Sequence, residues 1–426
     1  MSVLDLPGSR RAGRTRLLPS LLRENRHFRR FFLGQSVSLV GDQVTLIALP
    51  LVGVLVLHAG AAQMGYLATA ALVPNLLFSL HAGAWVDRRG RRRQVMLAAD
   101  LGRAVLLFSI PVAYGLDLLT IEQLYVVGFL TGVLSVFFYV AYSTLFVSLV
   151  PRERYVEANQ LLHGSRALSF VSGPSLGGAL VQLLSAPFAI VADAISFLVS
   201  ALALGRIRPA EPPTETRERG HLVAGARYIR SSPVVRASLL ATATINFFNF
   251  VFFALEILFA TRDLHVRPGT LGAVVGVASI GSVLGSVATG PIGRRIGIGP
   301  AFALGCFLFP APLVLVPLAS GPHWAVVGCL LVAIFFSGLG VMILDITGAS
   351  IKAAVVPDRL RARVSGAYML VNYGVRPLGS LAGGLLGSAI GLRPTLLIAA
   401  VGAVAGVLWL LPSPVMRLRE LPEPAE

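Results

Sequence analysis

Residues 83–93 read GAWVDRRGRRR. Five arginines crowd this stretch, which lies between two long apolar runs, 62–86 and 94–115. Lys and Arg resist translocation across a bilayer, so a dense basic turn between two runs of spanning length is expected on the cytoplasmic face, joining two transmembrane helices. Gly83 and Gly90 suit a close helix approach and a tight turn. Asp87 would place a carboxylate at the inner end of the first of the two helices.

Working outward, the composition gives the same class. Hydrophobic residues make up 55% of the 426 positions and charged residues only 13%, about half the usual share for a soluble domain. A soluble chain of this length has no place to hide so much apolar surface. The net charge of +16 would suggest nucleic acid if it formed one face of a soluble fold. Here the basic residues sit between apolar runs, so topology explains them and no nucleic-acid partner is expected. The two cysteines, Cys306 and Cys329, lie inside apolar runs and suit small packing groups. No phosphate-binding GxxxxGK[ST] loop, no ordered Ser-His-Asp set and no His or Cys cluster with metal spacing occurs. The reading is of a non-enzyme without metal or cofactor.

Twelve runs reach roughly the 20 residues that a bilayer requires. They lie at 31–57, 62–86, 94–115, 121–149, 155–184, 187–204, 235–260, 271–292, 300–319, 324–347, 364–390 and 394–411. The fifth and eleventh are the least uniformly apolar. These divide the chain into an N-terminal arm (1–30), a six-helix bundle (31–205), a polar linker (206–234), a second six-helix bundle (235–412) and a tail (413–426). The linker segment PAEPPTETRERG suits a flexible connection, with a short surface helix beginning near Leu222. Placing both termini in the cytoplasm puts 30 of the 36 Lys and Arg residues on that side. The fold class is therefore an all-α, multi-pass protein of the cell membrane.

The two halves repeat. Gly83 and Gly90 have counterparts in Gly290 and Gly297, offset by 207. LVPRERYVEAN around Pro151 is echoed by VVPDRLRARVS around Pro357, offset by 206. The stretch Gly173-Pro174-Ser175-Leu176-Gly177-Gly178 is matched to 376–384 at an offset near 203. Three landmarks almost in register predict two pseudo-symmetric bundles, an architecture associated with rocking about a central site.

The order Gly-x-x-x-Asp-Arg-x-Gly-Arg-Arg resembles the loop between helices 2 and 3 of major facilitator superfamily transporters. That resemblance implies that Asp87 faces the N-terminal end of helix 11 and latches the bundles, with Arg88 and Arg91 holding it; Arg294 replaces the acid in the second-half copy. SFVSGPSLGG (169–178) resembles the antiporter signature of drug exporters. There Pro174 bends helix 5, and Gly173, Gly177 and Gly178 allow tight packing. The stretches GQSVSLVGDQVTLIALPL, Asp100-Leu101-Gly102-Arg103, DAISFLVSA and VRPLGSLAGG are similar to the third drug:proton antiporter group, the macrolide-type and siderophore exporters. The resemblance implies export of a small lipophilic drug-like or siderophore-like compound, driven by the proton gradient, by a monomer working through alternating access. An uptake permease or proton symporter is the alternative within transport. A membrane sensor or assembly partner that does not transport is the alternative outside it.

Ionisable residues inside spans cost about 2.5–3.5 kcal/mol at the helix centre and so mark functional positions. Asp42, Glu256 and Asp345 fall in helices 1, 7 and 10, which in the resembled fold line the central cavity; they are the proton-coupling candidates. Asp100 and Arg103, three apart on one helix face, are expected to pair. Asp193 is read as structural, partnered by Arg166 or a backbone group. Tyr139, Tyr142, Asn246 and Asn249 offer aromatic and amide surface for a bulky substrate, although aromatic residues in spans more often only pack.

Overall fold

The computed structural model describes residues 19–208 and 222–420. Among them there is no strand, and long apolar helices make up nearly the whole fold. A short helix α1 (Ser20–Glu24) precedes α2 (Arg26–Leu51), whose last turn widens into a π-helix at Val52–Val56. Then follow α3 (Ala61–Arg89), α4 (Arg92–Gly115), α5 (Ile121–Leu149), α6 (Tyr155–Leu184) and α7 (Ala186–Gly205). After 209–221, helix α8 (Leu222–Ser231) leads into α9 (Pro233–Arg262), α10 (Pro268–Ile296), α11 (Ile298–Leu308) and the short α12 (Leu315–Leu318). The chain ends with α13 (His323–Val355), α14 (Asp358–Ile390) and α15 (Leu392–Val404).

Eleven spans are long and apolar enough to cross a bilayer, counting Ile298–Leu318 as one. The twelfth expected span corresponds to α14. At 33 residues it is long enough, but its first turns carry Asp358, Arg359, Arg361 and Arg363 and its middle carries Arg376, which lowers its apolarity. The first span begins earlier than the expected residue 31, because Asn25 caps α2 by accepting the Phe28 amide, 2.9 Å away.

Helices α2 to α7 pack among themselves, as do α9 to α15; the two groups meet chiefly where α3 lies on α14 and α6 lies on α10. The frame is repeated contact by contact. Gly173 abuts Val40 and Gln43, and Gly379 abuts Phe247 and Phe250; Gly177 abuts Val44, and Gly383 abuts Val251. Each pair differs by 206 or 207 positions, so Gly173 is equivalent to Gly379 and Gly178 to Gly384. This corrects the offset near 203, which had aligned Pro174 with Pro377; the structural counterpart of Pro174 is Ser380.

The ends that carry α1 and α8 also match. Asn25 donates to the Leu149 carbonyl at 2.8 Å, and Tyr228 donates to the Val355 carbonyl at 2.8 Å. Glu157 accepts from the Leu21 amide at 3.0 Å and the Ser20 hydroxyl at 3.1 Å, binding α1 to the start of α6. Past α15, the tail returns to α11, whose first amides, from Ile298 and Gly299, donate to Arg419 and Leu418 carbonyls. Residues 1–18, 209–221 and 421–426, which hold most of the arm and the centre of the linker, lie outside the described residues.

Candidate functional site

The two ends of the molecule differ in how the halves meet. On the side away from the described chain ends, Pro19 and Glu420, a single apolar core takes in Leu51, Met64, Val181 and Ile190 from the first half and Val251, Leu255, Leu271 and Leu396 from the second. On the terminal side the cores separate. One contains only first-half residues such as Phe28, Phe31, Met96 and Leu145. The other two contain only second-half residues such as Ile245, Phe302, Val364 and Tyr368. Leu168 on α6 and Met369 on α14 are 66% and 57% exposed there. The halves therefore close on the far side and part on the terminal side.

Glycine makes the closure possible. A Cβ on Gly65 of α3 would meet the backbone of Gly384 on α14, and one on Gly272 of α10 would meet that of Gly178 on α6. Backbone lies on backbone at both places, which only residues without side chains permit. Flanking hydrogen bonds follow: Gly269 donates to the Gln182 side chain at 3.0 Å, and Ser279 to the Phe170 carbonyl at 2.8 Å. Gly173 and Gly177 of the same helix serve the first bundle, against α2. Pro174 stays within a continuous helix, its carbonyl directed at Gly272.

At the other end of α3 the expected close approach is absent. Nothing lies within 4 Å of a Cβ on Gly83, because the halves have parted there. Gly90 makes the tight turn: its φ of 63° is left-handed, and its amide bonds to the Val86 carbonyl at 3.2 Å. Arg88 and Arg91 are exposed. The register of α4 instead sends Arg92 inward, and Arg93 grips the end of α7 through the Leu204 and Gly205 carbonyls at 2.8 and 2.7 Å. The side chain of Asp87 lies outside the described residues.

Between the parted halves lies a polar region. Asp42 on α2 is half-buried, and among the described residues it accepts no hydrogen bond. Arg103, Arg166 and Tyr139 lie within electrostatic range of it. Tyr139 is 48% exposed and open to this space. Tyr142 instead stacks on Phe31, ring centroids 5.3 Å apart, so it packs the bundle. Arg103 is buried, bonded to Asp100 and clasped between Phe138 and Phe197 at 4.4 and 4.0 Å. Asp193 is held by Thr45 and Ser196 hydroxyls at 2.5 and 2.9 Å, not by Arg166.

In the second half Asp345 on α13 is exposed, with Lys352 and Arg376 in electrostatic range. A lone charge facing lipid is costly, so its exposure fits a wet space. The sequence reading missed the rungs beside it. Tyr368, Asn372 and Arg376 recur every four residues on α14 and meet Thr242 and Asn246 on α9. Thr242 and Tyr368 hydroxyls lie 2.7 Å apart, Asn246 donates to Asn372 at 3.0 Å, and Arg376 donates to Asn246 at 3.1 Å. The four-residue spacing was the available signal. Asn246 is thus bound up in the helix pair, and Asn249 is buried. Glu256 does not face the parted space: it is 8% exposed, within the closed end.

A parted cavity with acids and cations along it, sealed at one end between twin helix bundles, is the geometry of a membrane transporter. A family model described as Major Facilitator Superfamily matches residues 31–328 and again 239–425. The chain belongs to the major facilitator superfamily. It is similar to the multidrug efflux pump Tap of Mycolicibacterium fortuitum, 28% identical over 384 residues, covering 84% of this chain and 88% of that protein. It is also similar to the uncharacterised MFS-type transporter YfiS of Bacillus subtilis, 24% identical, covering 89% and 91%. Among solved structures, an inward-facing bacterial homologue of the iron transporter ferroportin superposes with a TM-score of 0.75 at 16% identity, covering 92% of this chain and 99% of the other. This major facilitator protein is a multi-pass membrane transporter, not an enzyme.

Proposed function

We propose that this transporter exports a small lipophilic drug-like or siderophore-like compound in exchange for protons, by alternating access. One observation carries the reading: the cavity between the halves is sealed by glycine backbones on one side and open on the side bearing the described chain ends. Basic-residue placement puts that open side in the cytoplasm, so the conformation is inward-facing and ready to load cargo. The efflux pumps among its relatives support the export direction. Asp42, accessible and without a hydrogen-bond partner, is the proton carrier. Asp345 is the second accessible acid and the supporting candidate. Glu256 reaches water only when the far side opens.

In this cycle the Gly65–Gly384 and Gly178–Gly272 contacts part as the terminal side closes. Closure would bring the inner end of α3, with Gly83 and Asp87, up to the start of α14. There a carboxylate at a helix N-terminus contributes about 0.3–1 kcal/mol, a size that suits a reversible latch.

The test is export driven by an imposed pH gradient in oriented proteoliposomes, using a fluorescent drug panel. Asp42→Asn is expected to abolish coupled export while the protein inserts normally. Unchanged export in that variant would remove Asp42 from the mechanism, and no substrate-dependent proton movement with wild type would favour a non-transporting sensor.

A further inference from the structure

The groups that line the open cavity are not balanced in charge. Three cations reach it. Arg166 on α6 is exposed, its guanidinium 5.7 Å from the Phe170 ring. Arg376 on α14 is partly exposed, oriented by Asn246 and stacked over Tyr373 at 4.3 Å and Phe250 at 5.1 Å. Lys352 on α13 is partly exposed, over Tyr368 at 4.1 Å. Among the described residues, only Asp42 and Asp345 are accessible acids beside them. The other membrane acids are committed elsewhere: Asp100 to Arg103, Asp193 to two hydroxyls, and Glu256 inside the closed end.

Topology accounts for Lys352, in the last turn of α13, but not for the two arginines. The positive-inside rule acts on loops, whereas Arg166 and Arg376 lie within helices, where a cation is kept only for a purpose. Both arginines lie against aromatic rings, and Asn246 orients the Arg376 fork, the arrangement that receives a planar anion by paired hydrogen bonds. Tyr139 and Tyr373, 48% and 41% exposed, add aromatic surface for an apolar body. Loading a proton on either acid would deepen the cationic excess.

Building on the transport reading above, we infer that the cargo is an amphiphilic organic anion, a carboxylate, sulfonate or phenolate on an aromatic body, bound by Arg166, Arg376 and Lys352. A lipophilic cation would meet three like charges against two acids and lose its water without a partner.

Equilibrium binding to the purified full-length protein in nanodiscs, read by fluorescence anisotropy, tests this with two probes of similar size, the anion fluorescein and the cation ethidium. Fluorescein is expected to bind at least about tenfold more tightly. Arg376→Gln and Arg166→Gln should each weaken it about tenfold, while Arg376→Lys retains part of the affinity. Equal or tighter ethidium binding, no fluorescein binding, or unchanged fluorescein affinity in both glutamine variants would overturn the inference; the wild-type comparison stands even if a variant misfolds. Movement of each dye in inverted vesicles under a pH gradient is scored separately. Fluorescein bound but never moved sinks the transport reading and leaves the binding chemistry standing. Ethidium moved with no fluorescein bound does the reverse.

Discussion

The two halves of this transporter share a frame and differ in chemistry. Gly173 with Gly379, Gly177 with Gly383, Gly178 with Gly384 and Gly65 with Gly272 occupy equivalent positions and meet equivalent helices. The same offsets set Asp42 against Asn249, Tyr139 against Asp345 and Arg166 against Asn372. Close contact between backbones tolerates only glycine, so duplication preserves it. Cavity groups face open space, where many residues fit, and each half has taken its own. The accessible acid sits on the first membrane helix of one half and on the fourth of the other, so the chemistry of the cavity is asymmetric within a symmetric frame.

The largest expected effect comes from breaking the shared frame. Gly178→Val and Gly384→Val each place a branched side chain on facing backbone, and each is expected to lower dye export below about 1% of wild type at equal membrane abundance. Gly83→Val, in open space, should leave the far-side closure intact, measured as unchanged protection of a cysteine introduced at Gln182. Equal effects at Gly83 and Gly178 would dissolve the distinction between sealed and parted ends.

A smaller effect sharpens the chemical difference. Asn249→Asp, added to Asp42→Asn, recreates the acid at the equivalent place in the second half. Recovery of coupled export should stay below about a tenth of wild type, because Asn249 is buried while Asp42 is partly exposed. Full recovery would show the two sites interchangeable. The smallest effect concerns the rungs between α9 and α14. Tyr368→Phe removes the bond to Thr242 and the one donated to the Ser238 carbonyl, interhelical hydrogen bonds worth about 0.6 kcal/mol each, and should lower the melting temperature by only a few degrees. Leu162→Ala, at the first-half equivalent where no such bond exists, loses only packing.

Much of this was legible beforehand, and the failures have a pattern. Spans, loops and the duplication depend on hydropathy and spacing, which are local, and the helices followed them closely. The Asp100–Arg103 pair depended on a three-residue spacing along one helix. What went astray involved partners from distant helices. Arg88 and Arg91 lie exposed, whereas the register of α4 against α7 turns Arg92 inward and sets Arg93 on the carbonyls that end α7, a choice among neighbouring arginines that spacing alone does not make. Asn246 was read as cargo surface, yet α14 brings Arg376 and Asn372 onto it. Glu256 and Asp42 look alike as acids in helices, and only the conformation puts one in the closed end and the other in the cavity.

Composition and run length already require that the chain crosses a membrane many times, in two copies of one plan, because transfer of apolar and charged groups between water and lipid depends on nothing more. Tertiary structure alone decided which end of the molecule is shut, which glycines shut it, and which charged groups share the open space. Those depend on contacts between residues far apart in the chain, 87 positions for Gly269 and Gln182 and more for the glycine pairs, and pair contacts of that kind leave no trace in local pattern.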